Sequence, residues 1–145
     1  MRAVAQRVSR ASVSVEGRPV GEIGPGLLVL VGFKDGDGPE ELEWMAAKLA
    51  GLRIFADAEG RMNLDVGETG GEMLVVSQFT LYGDVGRGRR PSFVDAAPPE
   101  EARRLYEEFV DMCRRGIIPV ATGEFGARME VSLVNDGPVT LVIDR

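Results

Sequence analysis

Two short apolar runs limit what this chain can fold into. Residues 27–33 read LLVLVGF and residues 72–79 read EMLVVSQF. Both are far too short to span a membrane. The first is apolar at odd and even positions alike, so a strand built from it must be covered on both faces, as a central strand is. The second reads as another buried strand. A chain holding two such segments needs protein on both sides of its sheet.

The remaining pattern supplies that cover. Residues 2–9 and 11–16 alternate with period two and read as strands, and 19–23 as a short third. Residues 39–52 read as a helix. Pro39 suits its first turn, Glu40, Glu41 and Glu43 favour its N-terminal end, and Leu42, Met45, Leu49 and Leu52 share a face. Residues 53–56 read as a strand. Residues 98–115 read as a second helix with Ala102, Leu105, Phe109 and Met112 as its stripe, Glu100 placed to meet Arg104, and Gly116 as its cap. Residues 130–134 and 139–143 read as two closing strands, with Asn135-Asp136-Gly137-Pro138 as a hairpin turn between them. No repeat, linker or low-complexity segment interrupts the chain. The expectation is one domain over residues 1–145, a mixed α+β fold with a mostly antiparallel or mixed sheet system packed by two helices.

One absence restricts the chemistry. The 145 residues contain no histidine and one cysteine, Cys113. The usual zinc sites and a Ser-His-Asp triad cannot be built from one chain. No cofactor or metal is called for. The net charge of −6 argues against a protein that binds nucleic acid by bulk charge, although arginines cluster locally. The first sixteen residues lack a signal-peptide core and no apolar run spans a membrane, so the expected location is cytoplasmic.

Three segments are candidates for function. Ser77-Gln78-Phe79-Thr80 ends a buried strand, where polar groups are rigidly held beside a loop and backbone N–H groups could cradle an oxyanion. Thr80 lacks the base that a nucleophile would need. Residues 82–98 have no periodicity. Within them Arg87, Arg89 and Arg90 could bind phosphates, and Phe93 could stack on a base or anchor the loop. Gly137-Pro138 is either a hairpin turn with a stiff exit or, if cis, a pair of carbonyls facing one way. On pattern alone, ordinary edge polarity and an ordinary turn are the favoured readings of the first and third segments.

Together these segments match a family. QRVSRASVSVEG, GLLVLVGF, SQFTLYGD, RPSF and MEVSLVNDGPVT occur in this order along the chain, and the chain resembles the D-aminoacyl-tRNA deacylases, formerly called D-tyrosyl-tRNA deacylases, over its whole length. The resemblance implies a homodimer that hydrolyses the ester between a D-amino acid and the 3′ end of tRNA and also removes glycine from mischarged tRNA. It implies a cis Gly137–Pro138 bond that enters the partner's active site, beside Ser77, Gln78, Phe79 and Thr80. Arg7 matches the arginine that steadies this tip. It further implies catalysis assisted by the tRNA 2′-hydroxyl, for which backbone N–H groups around Gln78 and Phe79 are the expected oxyanion donors, and tRNA as the partner of Arg87, Arg89, Arg90 and Phe93. Two other classes stand beside this reading: a nucleic-acid-binding dimer without catalysis, and a structural dimer.

Overall fold

A computed structural model describes all 145 residues. In chain order it comprises β1 (Arg2–Val15), β2 (Arg18–Ile23), β3 (Gly26–Gly32), α1 (Pro39–Ala50), β4 (Phe55–Ala56), β5 (Met62–Leu64), β6 (Glu72–Ser77), a 3-10 turn (Phe79–Tyr82), α2 (Pro99–Arg114), β7 (Val120–Thr122) and β8 (Glu130–Asp144). One edge of β1 pairs antiparallel with β3 through Arg2–Val8 and with β2 through Ala11–Val15. β3 continues into β6 and β6 into β7, both parallel. β7 then curls back toward β2, where Gly21 lies so close to the Thr122 carbonyl that no side chain would fit between them. The sheet is therefore mixed and nearly closed on itself.

The two-faced runs explain this shape. Along β3, Leu27, Val29 and Val31 face the helices, whereas Leu28 and Leu30 point into the curl; along β6, Met73 and Val75 face the helices and Leu74 and Val76 the curl. Period two splits each strand between two cores. The larger core receives Leu42, Met45 and Leu49 of α1 and Leu105, Tyr106 and Phe109 of α2. β1 serves both. Ala3 and Ala5 face the helices, while Val8, Ala11 and Val13 line the curl. The register against β8 slips between Gln6 and Val8 and again between Val8 and Arg10, and across the second slip the strand turns over once, so that Ala11 and Val13 fall on the same side as Val8.

Several expectations change. Residues 2–15 form one irregular strand rather than two, because the slips let β1 continue where strict alternation fails. The predicted closing hairpin does not form. β8 is a single strand of 15 residues that pairs with β1 almost from end to end, and Asp136–Val139 bulge out between the pairs Val8↔Asn135 and Gln6↔Thr140. Pro138 needs no ladder N–H at a bulge, so the feature that pointed to a turn is met within a strand. Arg104 pairs with Glu108 at 2.9 Å instead of Glu100, and α2 ends at Arg114 with Arg115, not Gly116, at its cap. β5 and β7, of three residues each, carry too little pattern to be read from sequence. Cys113 is half-buried, and desolvation pushes its thiol up to about 12, which leaves it an inert packing group.

The amino terminus adds a contact that no local pattern suggests. The Met1 ammonium is fully buried and bonds the Asp37 carboxylate at 2.6 Å and the Arg145 carbonyl at 2.7 Å. The second Asp37 oxygen accepts the Lys34 N–H at 2.9 Å.

Candidate active site

The carboxyl ends of the parallel strands β3 and β6 open into a cleft of about 620 Å3. Ends of parallel strands are where side chains and free backbone groups can face a ligand. Gly32, Ser77, Gln78 and Phe79 form its floor, Phe93, Ala96, Ala97, Pro98, Pro99 and Ala102 one wall, and Phe125, Gly126, Ala127, Met129 and Val131 the other. No lining residue is ionisable, and no three side chains of the metal-ligating types converge anywhere in the chain. The cleft offers shape, apolar surface and backbone dipoles.

Its floor changes direction at Gln78. The Gln78 N–H donates to the Val31 carbonyl at 2.7 Å, as if β6 ran one residue further. The chain then turns into the single 3-10 turn, whose first bonded donor is Leu81, to the Gln78 carbonyl at 3.3 Å. The N–H groups of Phe79 and Thr80 precede that donor and have no acceptor within the turn. This corrects one expectation. The Gln78 N–H is already committed to the sheet, which leaves Phe79 and Thr80 as the N–H groups without an acceptor in the turn. The Gln78 side-chain amide donates to the Thr80 hydroxyl, which fixes both. No base lies against Thr80.

The turn is seated by what is missing beneath it. A Cβ on Gly32 would lie 2.8 Å from the Gln78 carbonyl oxygen, 3.3 Å from Leu81 Cβ and 3.4 Å from the Tyr82 ring. Phe79 is 54% exposed, so an aromatic ring stands open at the cleft mouth. Phe93 meets it edge-on with centroids 5.1 Å apart and also packs against the place a Gly83 side chain would take. Of the two readings of Phe93, the geometry favours the loop anchor.

Beyond Phe93 the loop is tied once. Asp84 and Ser92 exchange backbone hydrogen bonds of 2.8 and 2.9 Å, and the tip between them carries Arg87, Arg89 and Arg90. All three are exposed and none takes part in an ion pair.

The third segment lies elsewhere on the same chain. Gly137–Pro138 is a cis peptide at the exposed tip of the β8 bulge, outside the cleft lined by Ser77, Gln78 and Phe79, of which Thr80 is not a lining residue. Asn135 closes the bulge, its amide oxygen accepting the Val139 N–H at 2.7 Å and its Nδ2 donating to the Val139 carbonyl at 3.1 Å. Arg7 reaches in from β1, donating from Nε to the Asp136 carbonyl at 2.8 Å and from a terminal nitrogen to the Ile54 carbonyl. Gly137 has φ +146, and a Cβ there would sit 2.8 Å from Val139 N, which restricts the position to glycine. The tip is thus rigid, charged at its base and open to solvent.

Residues 4–144 match the family model described as D-Tyr-tRNA(Tyr) deacylase. The chain belongs to that family. A D-aminoacyl-tRNA deacylase of Thermosipho africanus is 57% identical over 144 residues, covering 99% of this chain and 97% of the relative. One from Desulfatibacillum aliphaticivorans is 60% identical, with 99% of each chain covered. Among solved structures, the c-Myc DNA unwinding element binding protein superposes with a TM-score of 0.95 at 42% identity, covering 100% of this chain and 99% of the other. A probable eukaryotic D-amino acid tRNA deacylase shares the fold at a TM-score of 0.83 and 22% identity, covering 99% of this chain and 98% of the other.

Proposed function

We propose that this protein hydrolyses the ester of D-aminoacyl-tRNA as a homodimer in which each copy completes the other's cleft. Family membership supports the reaction. One observation carries the assembly: Val131 forms part of the cleft wall and belongs to β8, whose outer edge is unpaired and exposes Val131, Leu133, Val134 and Val142. A long apolar edge strand left open invites another chain. A second copy laid on it brings a Gly137–Pro138 tip toward the cleft that the same chain's tip does not reach.

The chemistry follows from the lining. An aminoacyl ester is already activated, and the 2′-hydroxyl of the terminal ribose sits beside it at high effective concentration. A cleft without an acid or base needs only to orient the ester and stabilise its oxyanion. The Phe79 and Thr80 N–H groups suit the second task, worth about 2.7–4 kcal/mol per donor. With the substrate ammonium and carbonyl both pinned, a D side chain points outward, whereas an L side chain runs into the partner's Gly137–Pro138 tip. Rejection by obstruction leaves D side chains unselected and lets glycine through. No helix is long and apolar enough to cross a membrane, and a cytoplasmic place suits an enzyme whose substrate is tRNA.

The deciding experiment compares hydrolysis of D-Tyr-tRNA and L-Tyr-tRNA by the purified protein. Release of D-tyrosine only is expected, and equal or absent release from both defeats the proposal. Absent release with retained binding of nucleic acid would favour the second reading, a non-catalytic binding dimer, to which the name of the DNA unwinding element binding protein lends support. Thr80→Ala keeps both N–H groups and is expected to retain at least about a third of kcat, a barrier change under about 0.7 kcal/mol. An acyl group trapped on the Thr80 hydroxyl would refute that assignment.

The exposed arginine tip offers three guanidinium groups suited to tRNA phosphates. Replacing Arg87, Arg89 and Arg90 with alanine is expected to weaken tRNA binding and to flatten the slope of log K against log salt by about 2–3, since each phosphate contact contributes about 0.7–0.9. An unchanged slope places the tRNA elsewhere.

A further inference from the structure

The 3-10 turn that offers the Phe79 and Thr80 N–H groups is held from its far side by a residue outside the cleft. We propose that Arg2, which donates from a terminal guanidinium nitrogen to the Leu81 carbonyl at 3.0 Å while bound to Asp144, is a positioning residue for ester hydrolysis; this rests on the reaction proposed above. Arg2 Nε lies 2.6 Å from Asp144 Oδ1, a second nitrogen lies 3.4 Å from Oδ2, and the guanidinium sits 5.4 Å from the centre of the Tyr82 ring. Arg2 and Asp144 are register partners across β1 and β8, so the two strands fix where the fork points. A planar guanidinium can hold a carboxylate with one edge and a carbonyl with another.

The turn needs such a tie. The bonds at its two ends are a long one, Leu81 to Gln78 at 3.3 Å, and one of 2.9 Å, Gly83 to Thr80, and none of its residues is buried. Gly32 limits how far it can sink toward the sheet. Arg2 limits how far it can lift away. The same β1–β8 pair carries, nearer its middle, Arg7 and the Gly137–Pro138 bulge. Arg2 therefore ties the turn of one cleft to the strand pair that carries the same chain's tip, which the proposed dimer lends to the partner's cleft.

The pair is no stability element. The side chains of Arg2 and Asp144 are 38% and 58% exposed, and exposed ion pairs contribute little to folding. Deleting Arg2 is therefore expected to separate activity from stability. Arg2→Ala should lower kcat on D-Tyr-tRNA about tenfold or more, a fraction of what a 1 Å misplacement can cost, with KM within about twofold and Tm nearly unchanged. Arg2→Lys, a compact charge unable to bridge both partners, should recover only part of the loss. Amide exchange at Leu81 and Gly83 should accelerate in Arg2→Ala while exchange in β3 and β6 stays as it was. Unchanged kcat, full recovery by lysine, or unchanged exchange at Leu81 and Gly83 each overturn the proposal, as does a lower Tm with kcat of the folded fraction intact. If the unaltered protein releases no D-tyrosine, the functional reading fails, and the exchange measurement still decides whether Arg2 holds the turn.

Discussion

Gly32→Ala is expected to lower kcat about a hundredfold while leaving a folded protein. The added methyl meets the Gln78 carbonyl oxygen at 2.8 Å, with Leu81 Cβ and the Tyr82 ring next in its path. A carbonyl so close cannot be accommodated by a change of rotamer, so the backbone of the turn must lift. The Gln78 carbonyl is also the acceptor for the Leu81 N–H, so displacing it shifts the origin of the turn and both donors with it. A misplacement near 1 Å in a site that works by orientation costs on the order of a hundredfold. The stability cost belongs to overpacking, about 1–3 kcal/mol, which a domain of this size can bear. KM should change less than kcat, because most of the cleft wall is untouched. Steady-state kinetics on D-Tyr-tRNA beside a thermal melt would check this. Full activity in Gly32→Ala would mean that the turn is not where the ester is activated.

Asp37→Ala carries the largest expected effect on stability, about 3–5 kcal/mol. Asp37 is buried and binds the Met1 ammonium, which is itself without exposure. Removing the carboxylate leaves a charge in the interior with only the Arg145 carbonyl at 2.7 Å and frees the Lys34 N–H from its acceptor. Breaking one side of a buried pair costs far more than the pair contributes over an apolar replacement. Urea melts should show a lower midpoint with an unchanged slope, and the thermal midpoint should fall by about 10 °C or more. A midpoint within about two degrees of the parent would show that solvent reaches the ammonium and that the burial is illusory. The contact joins the first residue, the loop before α1 and the last residue, so its loss should also loosen the Arg2–Asp144 end of β8.

Much of the fold was readable because local periodicity and burial point the same way. LLVLVGF had to lie inside, and it does so between two cores. Both helices announced themselves through proline at the start, acids in the first turn and an apolar stripe. The errors came where tertiary pairing overrode a local signal. Asn-Asp-Gly-Pro has the composition of a hairpin turn, yet β1 is long enough to pair with the residues on both sides of it, which makes the segment a bulge in one strand. Glu100 and Glu108 flank Arg104 at the same spacing, and only the packed helix decides which carboxylate is met.

By itself the sequence determined the two-sided core, the lack of any histidine-based chemistry, and the quoted motifs that match one family. These are properties of residue type and order, which folding cannot alter. Tertiary structure decided that the Gln78 N–H is spent on the sheet, that Gly137–Pro138 stands away from the cleft of its own chain, and which partners Arg2 and Asp37 meet. Each of those depends on which atoms become neighbours across strands distant in sequence, and no window of residues contains that information.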